Sequence, residues 1–320
     1  MPDDVDELGP QTVLVTGAGG PAGVAVIQAL MSGGHHVVAA DVDPLAVGLR
    51  IAYDGSVVPR YDEGNYVEEL CRVADKHSCT ALVSTLAEEI PALATNAATL
   101  DEVGLQRWLP AASAVLTCID KWRFAQAMAR ATVSTPATGL ATGEGIPGPW
   151  IVKPRHGRGS RDVIAVDEPA ALGWALARVS EPIVQTRLDG REFTVDALVD
   201  RTGTLAGAVP RWRIETKAGI SVKGETFTSE LVIDEVAALL DAVALTGPAN
   251  VQGFVADDGA ITFIEINPRF SGALPLSLAA GADLVGEYLR GVFGLPIRPE
   301  RLAYRSGVRM LRHYAEIFEE

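Results

Sequence analysis

Three oxygen-bearing side chains and an arginine fall within Asn250 to Phe270, NVQGFVADDGAITFIEINPRF. Asp258-Gly259 is a strong two-residue hairpin signal, because that pair tolerates the positive φ angles of a type I′ turn. With those residues at the turn, Asp257 pairs with Ala260 and Gln252 falls directly opposite Glu265. Directly opposed residues share one face of a sheet, and Asn267, two residues beyond Glu265, shares it as well. Gln252, Glu265 and Asn267 therefore converge, with Arg269 just past the strand end. Oxygen donors suit a hard cation such as Mg²⁺, which commonly bridges a protein carboxylate to substrate phosphates. A plain solvated hairpin is the competing reading. Against it, Glu265 and Asn267 belong to an apolar run that starts at Ile261, where an unpaired carboxylate is costly to bury.

Other clusters carry chemistry of their own. Lys153 stands at a strand end and leads into Pro154-Arg155-His156-Gly157-Arg158-Gly159-Ser160-Arg161, a basic glycine-rich loop. Successive backbone N–H groups and cations of this kind can cover phosphates, although the GxxxxGK[ST] pattern is absent. In Gln185 to Asp196, QTRLDGREFTVD, Asp189-Gly190 reads as a turn, and Glu192 opens the next strand; taken alone it reads as a solvated strand residue, with a ribose hydroxyl as the alternative partner of its carboxylate. Arg211, Arg213, Lys217 and Lys223 put four cations on one strand and loop, fit for a carboxylate or phosphate, or equally for guarding an exposed edge strand. Near the N-terminus, Gly17-Ala18-Gly19-Gly20-Pro21-Ala22-Gly23 follows a strand and opens a helix, with Asp41 about where a ribose-binding acid would lie. The spacing is GxGxxxG, so a structural or substrate-facing turn is favoured over nicotinamide binding.

Composition narrows the classes. A chain of 320 residues suits two or three domains, and 48% hydrophobic residues can fill a substantial core. The formal net charge of −14 argues against a general nucleic-acid binder but leaves room for a local basic pocket. Cys71, Cys79 and Cys118 fit no zinc spacing and read as scattered reduced thiols. No HExxH is present, and no apolar run reaches the ~18 residues of a membrane span. The first ten residues are acidic and lack the pattern of a signal peptide, so a cytoplasmic protein is expected.

The elements that must position these groups alternate. Val13–Thr16, His36–Ala40 and Ala81–Ser84 read as strands, with helices at 21–32 and 66–76 between them, a doubly wound parallel sheet closing near residue 112. A helix is expected over 120–131, capped by Asp120 or Thr117. Proline and glycine then crowd 136–149, a loop or linker. Strands follow at 150–154, 193–200 and 204–210, the last two antiparallel, with helices at 169–179, 234–245 and 282–291.

In order, Lys121, Lys153 with its glycine-rich loop, Gln185, Glu192, and then Gln252…Glu265-Ile266-Asn267-Pro268-Arg269 resemble the ATP-grasp superfamily, in its carbamoyl-phosphate-synthase-like and carboxylate–amine ligase branch. The resemblance spans nearly the whole chain. It implies an α/β fold: a Rossmann-like pre-ATP-grasp domain over 1–112, then an ATP-grasp domain over 113–320 whose two α+β subdomains sandwich ATP, with a lid at about 135–185. It further implies ATP contacts from Lys121, Lys153, Arg158, Gly159, Ser160, Gln185 and Glu192, and two Mg²⁺ ions (or Mn²⁺) at Gln252, Glu265 and Asn267. Arg269, with Lys153, would stabilise phosphoryl transfer. Two positions depart from the family pattern: Gln185 where many relatives have an acid, and Gln252 where several branches have an acidic ligand. The implied reaction is an ATP-dependent ligation of a small carboxylate to an amine, with Arg211, Arg213 and Lys217 gripping the acid and Glu88 or Glu89 facing the amine. Synthesis of a carbamoyl-type phosphate and a nicotinamide-dependent oxidoreductase are the alternatives. A homodimer is compatible with the resemblance.

Overall fold

The computed structural model describes residues 8–157, 159 and 161–319. The chain opens with β1 (Thr12–Thr16), α1 (Pro21–Ser32), β2 (His36–Asp41), α2 (Gly48–Ile51), β3 (Asp54–Val57), α3 (Tyr66–Lys76), β4 (Ala81–Ser84), α4 (Ile90–Thr95), α5 (Ala97–Glu102) and β5 (Gln106–Arg107). The strands form a parallel sheet in the order β3-β2-β1-β4-β5. Both faces are covered, which is why the strands read as continuous apolar runs rather than alternating ones. Leu14, Val38 and Leu82 pack towards α3. Val13, Val15, Val37, Ala39 and Val83 join α1 on the other side.

Helices α6 (Ala112–Ile119) and α7 (Lys121–Ala131) follow. Asp120, between them, is the cap of α7, accepting N–H bonds from Trp122 and Arg123. The sequence did not signal α6 as a separate helix. Next come β6 (Thr138–Leu140), β7 (Trp150–Pro154), β8 (Ile164–Val166), α8 (Pro169–Leu176) and β9 (Pro182–Thr186). These strands form an antiparallel sheet, β6-β9-β7-β8. Val152, Val166 and Val184 pack on α8 from one face. Ile151 and Gln185, a directly opposed pair, lie on the other face with Lys153.

The remainder is β10 (Arg191–Val199), β11 (Leu205–Lys217), β12 (Ile220–Thr226), α9 (Glu230–Ala242), β13 (Gly247–Val255), β14 (Ile261–Asn267), α10 (Leu274–Ala280), α11 (Leu284–Val292) and β15 (Arg309–Leu311). Helix α9 begins and ends earlier than its expected 234–245, α8 stops before Val179, and α10 was not anticipated. The strands build a six-stranded antiparallel sheet, β14-β13-β10-β11-β12-β15. Phe193, Val195, Val251, Phe263 and Ile266 bury one face against α9 and α7. At one end of the other face Leu198 and Val209 join α1, α10 and α11 in a core shared with the N-terminal sheet. That shared core crosses the boundary expected near residue 112. The rest of this face carries Phe254 and Ile264 among mostly polar side chains, and it is where the chemistry-bearing residues collect. Among the described residues no helix is long and apolar enough to cross a membrane.

Candidate active site

The hairpin of β13 and β14 pairs Gln252 with Glu265 and Asn250 with Asn267. The expected register is right at the site but arises differently. Ala256 and Ala260 close the turn, with Ala256 N donating to Ala260 O at 2.9 Å, so three residues lie between them rather than two. That change alone would offset the strands by one residue. A β-bulge restores the register: Gly253 pairs with Phe263 and Gln252 with Glu265, leaving Ile264 as the extra residue in β14. Phe263 and Ile266 then point into the core, while Ile264 and Glu265 both face the site.

The polar face of the large sheet and the Ile151–Lys153–Gln185 face of the small sheet enclose a cleft of about 390 Å³. Lys121, Lys153, Gly159, Gln185, Glu192, Arg213, Gln252 and Glu265 all line it. Lys121, the first residue of α7, donates from Nζ to Gly157 O at 2.9 Å. Burial lowers the pKa of Lys153, and Glu265 only partly offsets this, leaving it at about 8. Burial also lowers that of Lys121. Burial pushes the Glu265 carboxyl up, but Lys153, the Asn267 amide, Lys121 and Arg269 outweigh it and hold the group below its ordinary value. Glu265 is thus kept ionised by cations contributed from both sheets and α7.

Glu192 accepts a hydrogen bond from Gln252 Nε2 and pairs with Arg213 Nε at 3.1 Å. Gln185 Nε2 donates to Thr138 Oγ1 at 2.8 Å, which fixes its amide at the cleft wall. Asn267 Nδ2 donates to Glu265 Oε1 at 2.9 Å, and Arg269 Nη2 donates to Asn267 Oδ1 at 3.2 Å. Among the described residues no three His, Cys, Asp or Glu side chains could hold a metal by themselves. One ionised carboxylate and two amide oxygens nevertheless fit a hard cation that takes its remaining ligands from phosphate oxygens.

A second cavity of about 960 Å³ shares Gly159, Arg161, Arg213, Gly219, Gln252 and Glu265 with the first. Arg211, Arg269 and the Gly17–Ala22 turn also border it. The turn therefore faces the site. Both Asp41 oxygens accept backbone N–H groups, from Gly19 at 2.7 Å and Asp43 at 3.0 Å, so the carboxylate that a nicotinamide reading assigns to a ribose is engaged in shaping the turn. Glu88 lines a smaller pocket of about 80 Å³ with Lys121, Asn267 and Arg269. Glu89 instead points inward, accepting from Thr16 and from Tyr66 at 2.5 Å, and burial raises its pKa. Lys217 is exposed at the end of β11 and borders neither cavity. Arg158 and Ser160 lie outside the described residues.

Sequence reasoning passed over Asp196, Asn250 and Ser271, all buried on the polar face. The alternation of Glu192, Thr194 and Asp196 through an otherwise apolar strand is the signal that marks Asp196.

Comparison with known proteins agrees with this architecture. A family model described as "ATP-grasp in the biosynthetic pathway with Ter operon" matches residues 178–314, and a "PylC-like, N-terminal domain" model matches residues 13–107. The ATP-grasp model spans less than half of the chain, and the fold of the whole is shared with the solved structures that follow. Biotin carboxylase from Campylobacter jejuni superposes with a TM-score of 0.73 at 16% identity, over 92% of this chain and 73% of that one. N5-carboxyaminoimidazole synthetase from Staphylococcus aureus, complexed with ADP, gives 0.72 at 16% identity, over 90% and 78%. L-amino acid ligase from Bacillus licheniformis gives 0.69 at 16%, over 88% and 74%. A stretch of 73 residues is 37% identical to the multifunctional protein ura1 of Schizosaccharomyces pombe, covering 22% of this chain and 3% of that protein.

Proposed function

We propose that the protein is an ATP-dependent carboxylate–amine ligase, joining a small acid to an amine or amino acid and releasing ADP and phosphate. The observation that carries this reading is the meeting of Glu265, Asn267 and Gln252 with Lys121, Lys153 and Arg269 across a cleft between two sheets. A carboxylate is a poor electrophile. Transfer of the γ-phosphoryl group converts it to an acyl phosphate, and the amine then displaces phosphate. Such transfer needs positioning and charge neutralisation more than covalent help.

In this reading Lys121, Lys153 and Gly159 contact the phosphates, Gln185 borders the adenine and Glu192 the ribose. Gln252, Glu265 and Asn267 hold Mg²⁺, two ions by the family resemblance; the metal neutralises phosphate charge when bound. Arg269 stabilises the transferring group. Arg211 and Arg213 receive the acid and Glu88 borders the amine. Lys217, lying outside both cavities, is the weakest member of that set. The division near residue 112, with 135–185 as a lid that excludes water, is part of the same proposal.

A broad panel of acids and amines, read by ADP and phosphate release and then by product mass, tests it. Glu265→Gln is expected to lower turnover by on the order of 10²–10³. Turnover near wild type in that variant would sink the proposal.

A further inference from the structure

A second buried centre lies on the polar face, built around Asp196. Its Oδ1 accepts from Arg211 Nη2 at 2.8 Å and from Asn250 Nδ2 at 3.0 Å, and its Oδ2 accepts from Ser277 Oγ at 2.6 Å. Arg211 Nη2 also reaches Ser271 Oγ at 3.1 Å. Asp196 and Arg211 are 3% and 2% exposed. A buried ion pair is a poor source of stability compared with apolar residues of the same size, so its presence calls for another explanation.

Two atoms supply one. Arg211 Nε and Ser221 Oγ are buried and have no hydrogen-bond partner among the described residues. Buried polar groups are nearly always satisfied, so each exception asks for a missing partner. Both residues line the larger cavity. Gly19, Gly20, Pro21 and Ala22, where α1 begins, line it as well. This twelve-residue helix has no side-chain cap hydrogen bond and no acidic residue in its first turn; the Asp41 carboxylate, which accepts from Gly19 N just before it, lines the cavity too. Gly272 brings the two walls together: a Cβ there would lie 3.4 Å from Pro21 Cβ and 3.6 Å from Ile220 Cγ2. Arg312 adds charge, donating to Gly272 O.

We propose that the larger cavity binds the oxyanion end, carboxylate or phosphate, of a small-molecule substrate. Arg211 and Ser221 make the direct contacts, the start of α1 faces the same anion, and Asp196 is the positioning residue that fixes the Arg211 guanidinium. The identity of this molecule as a ligase substrate rests on the function proposed above; the oxyanion site does not.

The test is calorimetric titration of inorganic phosphate and, separately, glutarate into the whole chain saturated with Mg²⁺ and a non-hydrolysable ATP analogue. The analogue fills the γ-phosphate position, so phosphate can report only on a further site. Saturable binding of at least one probe is expected, and which one binds separates a phosphate from a carboxylate ligand. Arg211→Lys, which keeps charge but loses the planar fork, is expected to weaken it roughly tenfold or more, and Ser221→Ala severalfold. Asp196→Asn is expected to weaken oxyanion binding while leaving analogue affinity within about twofold, a split that general damage to the fold would not produce. Absence of binding by both probes, or wild-type oxyanion affinity in both Arg211→Lys and Ser221→Ala, overturns the proposal. Failure of the analogue to bind overturns the ATP reading instead, and the same titrations of the nucleotide-free chain then decide the oxyanion site.

Discussion

Gln252 lies directly across from Glu265, and Ile264, which has no partner in β13, is what makes that pairing compatible with a three-residue turn. Removing Ile264 shifts every residue between it and the turn to the opposite face, or else turns Glu265 inward. Deletion of Ile264 is therefore expected to abolish stabilisation by Mg-ATP in thermal unfolding. That stabilisation is about 2.7 kcal/mol at a ligand concentration a hundredfold above Kd. Ile264→Val keeps the extra residue and is expected to retain the effect. A nucleotide-induced shift of wild-type size in the deletion variant would show that the bulge does not set the site.

Lys153 titrates at about 8 because burial penalises its charge. Below that value the folded protein carries this charge at a cost. As pH rises from 8 towards the ordinary lysine value, the unfolded chain binds the extra proton and folding becomes relatively more favourable. Nucleotide binding runs the other way, because phosphates favour the protonated amine. Proton uptake on binding Mg-ATP is expected around and above pH 8, with affinity falling as pH rises further. Calorimetry in two buffers of different ionisation enthalpy measures it, and binding heats independent of buffer would count against this role.

Asp120 ties the start of α7, and with it Lys121, to the small-sheet side of the cleft. Its Oδ1 caps α7 through the Trp122 and Arg123 N–H groups, and its carboxylate also takes a two-pronged contact from Arg155 at 2.8 and 2.6 Å. Asp120→Ala is expected to cost about 2 kcal/mol in urea unfolding and to raise the KM for ATP. Burial raises the Asp120 pKa, but Arg155 and the α7 N–H groups outweigh it and leave the group below its ordinary value. Its contribution is therefore present above the ordinary carboxylate range and lost as pH falls through the folded value. Unfolding curves at pH 7 and pH 3 for both proteins should show the difference shrinking at the lower pH.

Gly23 admits no side chain, since a Cβ there would lie 2.3 Å from Gly17 O and 2.8 Å from Ala18 Cα. Gly23→Ala pushes α1 away from the turn that borders the larger cavity. A loss of about 1–3 kcal/mol is expected. Denaturation midpoints check it, and an unchanged midpoint would mean that the turn relaxes freely.

Much of this protein was legible from local pattern. Helices 21–32 and 66–76 and the strand 81–84 follow directly from apolar spacing and from glycine and proline punctuation. The conjunction of Glu265, Asn267 and Arg269 was visible too, because it lies within one hairpin. Asp196 was passed over because the alternation of Glu192, Thr194 and Asp196 marks a polar face without saying what that face does. Its meaning comes from Arg211, Asn250 and Ser277 on three other elements. The turn of the hairpin was read one residue short, and the bulge that compensates leaves no mark in turn chemistry.

The sequence by itself determined the elements, the polar alternation along β10 and β14, and the excess of cations on a few loops of an acidic chain. Those follow from side-chain period and backbone preference, which act over a few residues. Only the tertiary structure decided that Lys121 and Lys153 meet Glu265, that the start of α1 faces Arg211, and that Ile264 is the unpaired residue. Each depends on burying apolar faces far apart in the chain against one another, Val13 and Val15 with Val209 and Leu289 among them, and that packing has no local signature.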